Sequence, residues 1–377
     1  MASVYFDNAS TTPVDPEVKK AMERYFSISY GNPSSMNKLG LEARHAVEDA
    51  RFSVAGVLGC KLTEVIFTSG GTESNNLAIQ GAARANKAKG KHIITTMIEH
   101  SSVLNACKYL ESEGYSVTYL KVDKEGLVDL NDLERAIRKD TVLISIGYAN
   151  NEIGTIQDIA SIGAIARKHK VVFHTDACQA AGYLELNVDK LKVDFMTLNG
   201  AKIYGPKGVG VLYKRTGASM KPLFFGGEQE FGLRAGTENV PGIVGFAKAL
   251  ELAEKQKLQE AKRTSALRDY LIKELLKIPS TRLNGPLDNR LPNNVNVSFF
   301  GVEGESLSLI LNDDGFFAST GSACASRSSE PSHVLTALGL KYKDAKAALR
   351  ITLGRMTTKV DVEGFIRALK TALIKIR

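Results

Sequence analysis

Asp194-Phe195-Met196-Thr197-Leu198-Asn199-Gly200-Ala201-Lys202-Ile203-Tyr204-Gly205-Pro206-Lys207-Gly208 joins two short apolar runs through a polar turn that carries Lys202. A Gly-Pro-Lys-Gly turn leads into the second run, Val209 to Tyr213. A lysine at the mouth of a strand, hemmed by glycines and apolar neighbours, loses solvation and shifts toward its neutral form. Neutral lysine is a nucleophile that captures carbonyl groups as Schiff bases. A strand-end lysine alone is most often a solvated surface charge, so the neighbouring strand ends decide.

Outward from this stretch the chain alternates. Strands are predicted over Val65–Thr68, His92–Ile98, Ser116–Val122, Val142–Tyr148, Val171–Thr175, Phe195–Leu198 and Val209–Tyr213. Helical patterns separate most of them, at Asn75–Lys87, Val103–Glu113, Asn131–Arg138 and Ile159–Lys168. Such alternation predicts an α/β fold with a mainly parallel central sheet covered on both faces. Two earlier helices are expected, from Glu17 to Phe26 behind Asp15-Pro16 and from Leu39 to Leu58. A long helical stretch from Gly242 to Ile278 leaves this unit, and the remainder predicts a smaller α+β domain. The domains are placed at 15–256 for the large one, and at 1–14 with 257–377 for the small one and its N-terminal arm.

At 377 residues, with 44% apolar and 24% charged residues, the chain has the make-up of an ordinary globular protein of about two domains. Its net charge of +8 is spread among acidic residues, as in Glu254-Lys255-Gln256-Lys257, so nucleic-acid binding is unsupported. The four cysteines, Cys60, Cys107, Cys178 and Cys324, lie far apart without disulfide or metal spacing. Neither a signal pattern nor a run of about 18 apolar residues is present, and the expectation is a soluble, cytoplasmic protein with no metal.

Ligand sites in open α/β sheets form beyond the carboxyl ends of the strands. Here those ends carry Ser69-Gly70-Gly71-Thr72-Glu73-Ser74-Asn75, a glycine turn opening a helix and so a seat for phosphate. They also carry Glu99-His100, Asn150-Asn151-Glu152 and Asp176-Ala177-Cys178-Gln179. An aspartate at the end of an apolar strand needs a cationic partner. A protonated pyridine nitrogen is one such partner. From Ser319 to Ser329 every residue except Arg327 is Ser, Thr, Gly, Ala or Cys, a composition with little to bury.

In this order the residues resemble the NifS/IscS-type cysteine desulfurases, pyridoxal phosphate (PLP) enzymes of fold type I in the class-V aminotransferase family. The motifs are Phe6-Asp7-Asn8-Ala9-Ser10-Thr11-Thr12-Pro13, Gly31-Asn32-Pro33-Ser34-Ser35, Ser69 to Asn76, Glu99-His100, Asn150 to Gly154, Asp176 to Gln179, Lys202 to Gly208, Arg234 to Asn239, Gly321-Ser322-Ala323-Cys324, Glu330-Pro331-Ser332-His333 and Leu349 to Arg355. The resemblance implies that Lys202, not Lys207, holds PLP. It implies that Asp176 faces the pyridinium nitrogen and that His100 stacks on the ring and relays protons. Asn151 and Gln179 are implied around the ring oxygen and substrate, and Gly71 and Thr72 at the phosphate. The resemblance further implies that Thr237 reaches in from the second subunit of a homodimer and that Arg355 clamps the L-cysteine carboxylate. Cys324 takes the sulfur as a persulfide, leaving L-alanine, for iron–sulfur cluster assembly, thiolated cofactors or tRNA thiolation.

The chain departs from the family pattern in three places. Asn199 and Ala201 stand where Ser and His usually precede the lysine, Asn37 stands at another usual histidine, and Phe231 at a frequent arginine. Asn199 still offers a phosphate donor, so PLP retention is expected to be looser than usual. Longer relatives dock an iron–sulfur scaffold through a tail beyond the point where this chain stops, which weakens the expectation of that sulfur acceptor. The alternatives are a related PLP lyase, acting on selenocysteine or cysteine sulfinate, and a catalytically idle scaffold subunit.

Overall fold

The structure is a computed structural model describing residues 3–321 and 330–376. The N-terminal arm holds β1 (Val4–Tyr5). Then follow β2 (Val65–Thr68), β3 (His92–Thr96), β4 (Ser116–Leu120), β5 (Thr141–Ser145), β6 (Val172–Asp176), β7 (Phe195–Asn199) and β8 (Gly210–Lys214). Strands β2 to β8 make one sheet in the order β2-β8-β7-β6-β5-β3-β4. All pairings between β4 and β7 are parallel, whereas β8 runs antiparallel to both β7 and β2. The predicted parallel sheet therefore contains one reversed strand. The connection from Asn199 to Gly210 holds a single 3-10 turn and the Gly205-Pro206-Lys207-Gly208 turn, and is too short for the helical crossover that a parallel return requires.

The strands are apolar on both sides. Val65 and Phe67 enter one core while Ile66 enters the other, and Ile93/Ile94, Leu143/Ile144 and Phe195/Met196 divide in the same way. Alternate side chains of a strand face opposite ways, so such runs need a covering layer on each face. One layer comprises α1 (Pro16–Ser27), α2 (Lys38–Leu58) and the first half of the 36-residue helix Val240–Leu275. The other is built on α3 (Gly71–Ala85) and α4 (Ser101–Ser112). Asp15 caps α1 ahead of Pro16. Asn37, at one of the departures from the family pattern, caps α2 by accepting from the Gly40 N–H at 2.9 Å.

The smaller unit contains β9 (Thr281–Leu283), β10 (Asn294–Phe299), β11 (Phe316–Phe317) and β12 (Ala348–Thr352). Three of these form an antiparallel sheet in the order β12-β10-β9, and β11 pairs in parallel with β1. Its core joins Leu271, Leu275, Val295, Val297, Leu349, Ile351 and Phe365 with Phe6 from the arm. The Phe6 and Phe365 ring centroids lie 5.0 Å apart. The arm is also stitched along β12: Thr352 N–H donates to Phe6 O at 2.7 Å, Asn8 Nδ2 to Thr352 O at 2.8 Å, and Ala9 N–H to Thr352 Oγ1 at 2.9 Å. This stitching brings the Asp7–Ser10 segment against Arg350.

Candidate active site

A cavity of about 250 Å³ opens beyond the carboxyl ends of β2, β3, β5, β6 and β7. It gathers Gly71, Thr72, His100, Asn151, Asp176, Gln179, Asn199 and Lys202, all predicted from the sequence. It also gathers Ser10, Ser102 and Arg350, which the sequence reading did not place at the site, and Asn75 and Glu99, which it quoted in strand-end stretches without a role.

Lys202 ends the single 3-10 turn Gly200–Lys202 that follows β7; Asn199 starts this turn, its Oδ1 accepting from Ala201 N–H at 3.2 Å. The lysine Nζ donates to Ala9 O at 2.8 Å and Ser10 O at 2.5 Å. Burial holds its pKa below the usual lysine range, with the Arg350 charge acting in the same direction. Cys178, Asp176 and Asp7 oppose that shift. Lys207, in the same sequence motif, is exposed to solvent.

Asp176 ends β6. Its Oδ1 accepts from Cys178 N–H at 3.0 Å and its Oδ2 from Asn75 Nδ2 at 2.6 Å. The same Asn75 amide nitrogen donates to Ser102 Oγ at 2.8 Å, and Ser102 Oγ lies 2.8 Å from His100 Nδ1. Nδ1 also accepts from Ser102 N–H at 3.2 Å. With Nδ1 engaged as an acceptor, the proton of the neutral imidazole is assigned to Nε2. Burial favours that neutral ring by lowering the His100 pKa, while Asp176 pulls the other way. Asn75 thus ties aspartate and histidine into one network, and its own Oδ1 is buried with no partner among the described residues. The asparagine sits one helical turn inside α3, where nothing in the glycine-turn motif marks it as a site residue.

Glu99 is wholly buried beside this network, accepting from Thr96 Oγ1 at 2.7 Å and from Gly147 N–H at 3.0 Å. Burial pushes its pKa up to about 7. At the other end of the cavity, Gly70 (φ 147°) turns the chain into α3. A Cβ on Gly71 would lie 2.8 Å from Cys178 Sγ, so any side chain here would press on the buried Cys178. Glu73 braces the turn by accepting from Ser69 N–H at 2.8 Å and from Arg234 Nε at 2.9 Å.

Arg350 reaches the cavity from β12. Its Nη2 donates to Asp7 Oδ1 at 2.6 Å and to Ser10 Oγ at 2.7 Å, and its Nη1 donates to Asn151 O at 3.2 Å. Leu349 and Ile351 belong to the smaller core. The period of two therefore turns Arg350 to the opposite face, a signal the sequence already carried. Arg355, expected here, is not brought to the cavity. It follows the strand, pairs with Asp15 at 3.2 Å, stacks 4.3 Å from the Tyr204 ring and borders a separate surface groove.

Gln179 commits its Nε2 to Ala9 O at 2.9 Å, leaving Oε1 as its acceptor. Thr237 is not in this cavity; it borders another depression with Phe224, Phe225 and Arg234. The predicted Cys324 lies outside the described residues.

The sequence model of the Aminotransferase class-V family matches residues 4–365. The chain belongs to that family. It is 53% identical to the cysteine desulfurase IscS of Methanosarcina thermophila over 376 residues, covering 100% of this chain and 93% of that protein. A solved NifS-like protein superimposes with a TM-score of 0.94 at 39% identity, covering 99% of this chain and 100% of that one. The structure of SspA in complex with cysteine superimposes with a TM-score of 0.82 at 40% identity, covering 93% of this chain and 98% of that one. Within the class-V aminotransferases, the chain therefore falls among the cysteine desulfurases.

Proposed function

We propose that this cysteine desulfurase converts L-cysteine to L-alanine with PLP held on Lys202, passing the sulfur to Cys324. The carrying observation is the convergence in one cavity of a half-buried lysine with a depressed pKa, a carboxylate at a strand end, and a glycine-walled helix N-terminus. These three fit PLP at its aldehyde, pyridine nitrogen and phosphate.

Lys202 would bind the group, Asp176 would keep the pyridine nitrogen protonated, and Gly71, Thr72 and Asn199 would face the phosphate. PLP, when bound, supplies an electron sink that loosens bonds at the carbon atoms of an attached amino acid. His100, which lines the cavity, would stack there and move protons through Nε2. Arg350, in place of Arg355, would bind the substrate carboxylate beside Asn151 and Gln179. The Cys324 thiolate attacks the substrate sulfur; the carbon–sulfur bond breaks, its electron pair stays with carbon, and a proton completes alanine. The sulfur remains on Cys324 as a persulfide, for an iron–sulfur scaffold or a thiolation relay.

A homodimer supplying Thr237 to the partner's phosphate site, and a cytoplasmic location, complete the proposal; no described helix is long and apolar enough to cross a membrane. Asn199 Oδ1 accepts from Ala201 N–H, which leaves Nδ2 to donate to phosphate. The Ala201 side chain donates nothing, so PLP should be lost faster on extended dialysis than with Ser and His at these two positions.

The test supplies PLP and L-cysteine and follows alanine and sulfide release with and without the Cys324→Ser change. Alanine formation that survives the change undiminished would favour a related lyase with no thiol intermediate. Absence of alanine in the unmodified protein would leave the idle scaffold.

A further inference from the structure

Both bidentate edges of a guanidinium use Nη2: one pairs it with Nη1, the other with Nε. On Arg350 the two Nη2 protons are already committed, one to Asp7 Oδ1 and one to Ser10 Oγ. One Nη1 proton goes to Asn151 O. Arg350 Nε is buried with no partner among the described residues and shares no edge with Nη1. While Asp7 and Ser10 hold Nη2, an incoming carboxylate therefore meets one Nη1 proton and no fork. Its second oxygen needs a donor from elsewhere.

Ser10 is placed to be that donor. Its Oγ accepts from Arg350, which directs the hydroxyl proton away from the guanidinium, and no described residue accepts that proton. The side chain borders the cavity, and the Ser10 carbonyl holds Lys202 Nζ at 2.5 Å. One residue thus touches both the cation that would bind a carboxylate and the amine that would bind the cofactor.

We propose that the Ser10 hydroxyl is a substrate-positioning donor. It binds one oxygen of the α-carboxylate while Arg350 binds the other, selecting α-amino acids over the corresponding simple amines. This rests on the assignment of Arg350 to the substrate carboxylate made above.

The test titrates PLP-loaded protein with L-alanine and with ethylamine, which lacks the carboxylate, reading the change in visible absorbance. Ser10→Ala should weaken L-alanine binding about tenfold or more, the loss of one hydrogen bond to a charged group. Ethylamine binding should change less than about twofold, because Lys202 keeps its backbone carbonyl partners. Equal weakening of both ligands would make the serine a general structural residue and overturn the proposal, as would an unchanged affinity for L-alanine. Arg350→Gln separates the two levels. If it weakens L-alanine while Ser10→Ala does not, only the serine's role fails; if neither change weakens it, the assignment of Arg350 fails as well.

Discussion

Arg350 and Asp7, 343 positions apart in sequence, form an ion pair at 2.6 Å in which the arginine side chain is 1% exposed and the aspartate 18%. The pair closes one wall of the cavity from the two ends of the chain. Arg350→Gln should raise the KM for L-cysteine roughly ten- to hundredfold, as expected for losing a charged hydrogen bond to substrate. Arg355→Gln, in a side chain turned away from the cavity, should change that KM less than about twofold. Steady-state kinetics on both variants decides, and a reversed ranking would return the role to Arg355.

The two lysines of the Lys202–Lys207 motif differ in exposure and partners. Lys202→Ala should abolish the visible absorption band of the PLP-loaded protein, and Lys207→Ala should leave it in place. A spectrum of each variant after adding PLP and removing the excess is enough. Retention of the band in Lys202→Ala would place the cofactor on another amine.

Glu99 gives a pH signature. Its pKa rises from the ordinary 4.5 to about 7 because burial penalises the charged form. A carboxyl whose folded pKa is raised supports the fold fully below its unfolded pKa and loses that support as pH climbs through the folded value. Between about pH 4.5 and 7 the loss is about 3 kcal/mol for a shift of this size. Glu99→Gln, uncharged throughout, should therefore gain stability relative to the parent protein as pH rises across that window. Denaturant midpoints at pH 5 and pH 8 measure it, and a constant difference between the proteins would show that Glu99 does not titrate there.

Arg51 and Glu230 supply partners for the free edge of β2. Glu230 Oε2 accepts from Phe67 N–H at 2.7 Å, and Arg51 Nη1 donates to Val65 O at 2.6 Å. The two side chains also pair with each other at 2.7 Å, both nearly buried. Arg51 is sandwiched between the Phe67 and Phe231 rings, each 5.0 Å away. Glu230→Ala would leave a strand N–H and the Nη2 of a buried guanidinium without their carboxylate, with the mostly exposed Glu48 at 3.3 Å from Nε as the remaining acidic partner. It should destabilise the protein by about 3–5 kcal/mol, seen as a lower denaturant midpoint; a loss under about 1 kcal/mol would mean that water replaces the carboxylate.

The sheet was legible because apolar runs of four to five residues alternate with helical periods, and β2 and the helix Ile159–Lys168 fall on their predicted bounds. Lys202, Asp176, His100 and Gly71 could be located because each sits at a strand end, where a polar residue interrupts an apolar run. The reversal of β8 was harder to see, since it depends on the length of a turn rather than on pattern. Arg350 was passed over for Arg355 because a family motif holds both and only strand alternation separates them. Asn75 and Ser10 left no local mark. Their importance comes from contacts at 2.6 Å with Asp176 and 2.7 Å with Arg350, across sequence gaps of 101 and 340 residues.

While the chain is still emerging from the ribosome, the core that Phe6 enters is incomplete, because Leu349, Ile351 and Phe365 have yet to be made. The central sheet and Lys202 are complete long before that, but the carbonyls that hold the lysine belong to an arm with nothing to dock on. A chain ending before β12 would hold the sheet and Lys202 but neither Arg350 nor the strand to which the arm is stitched.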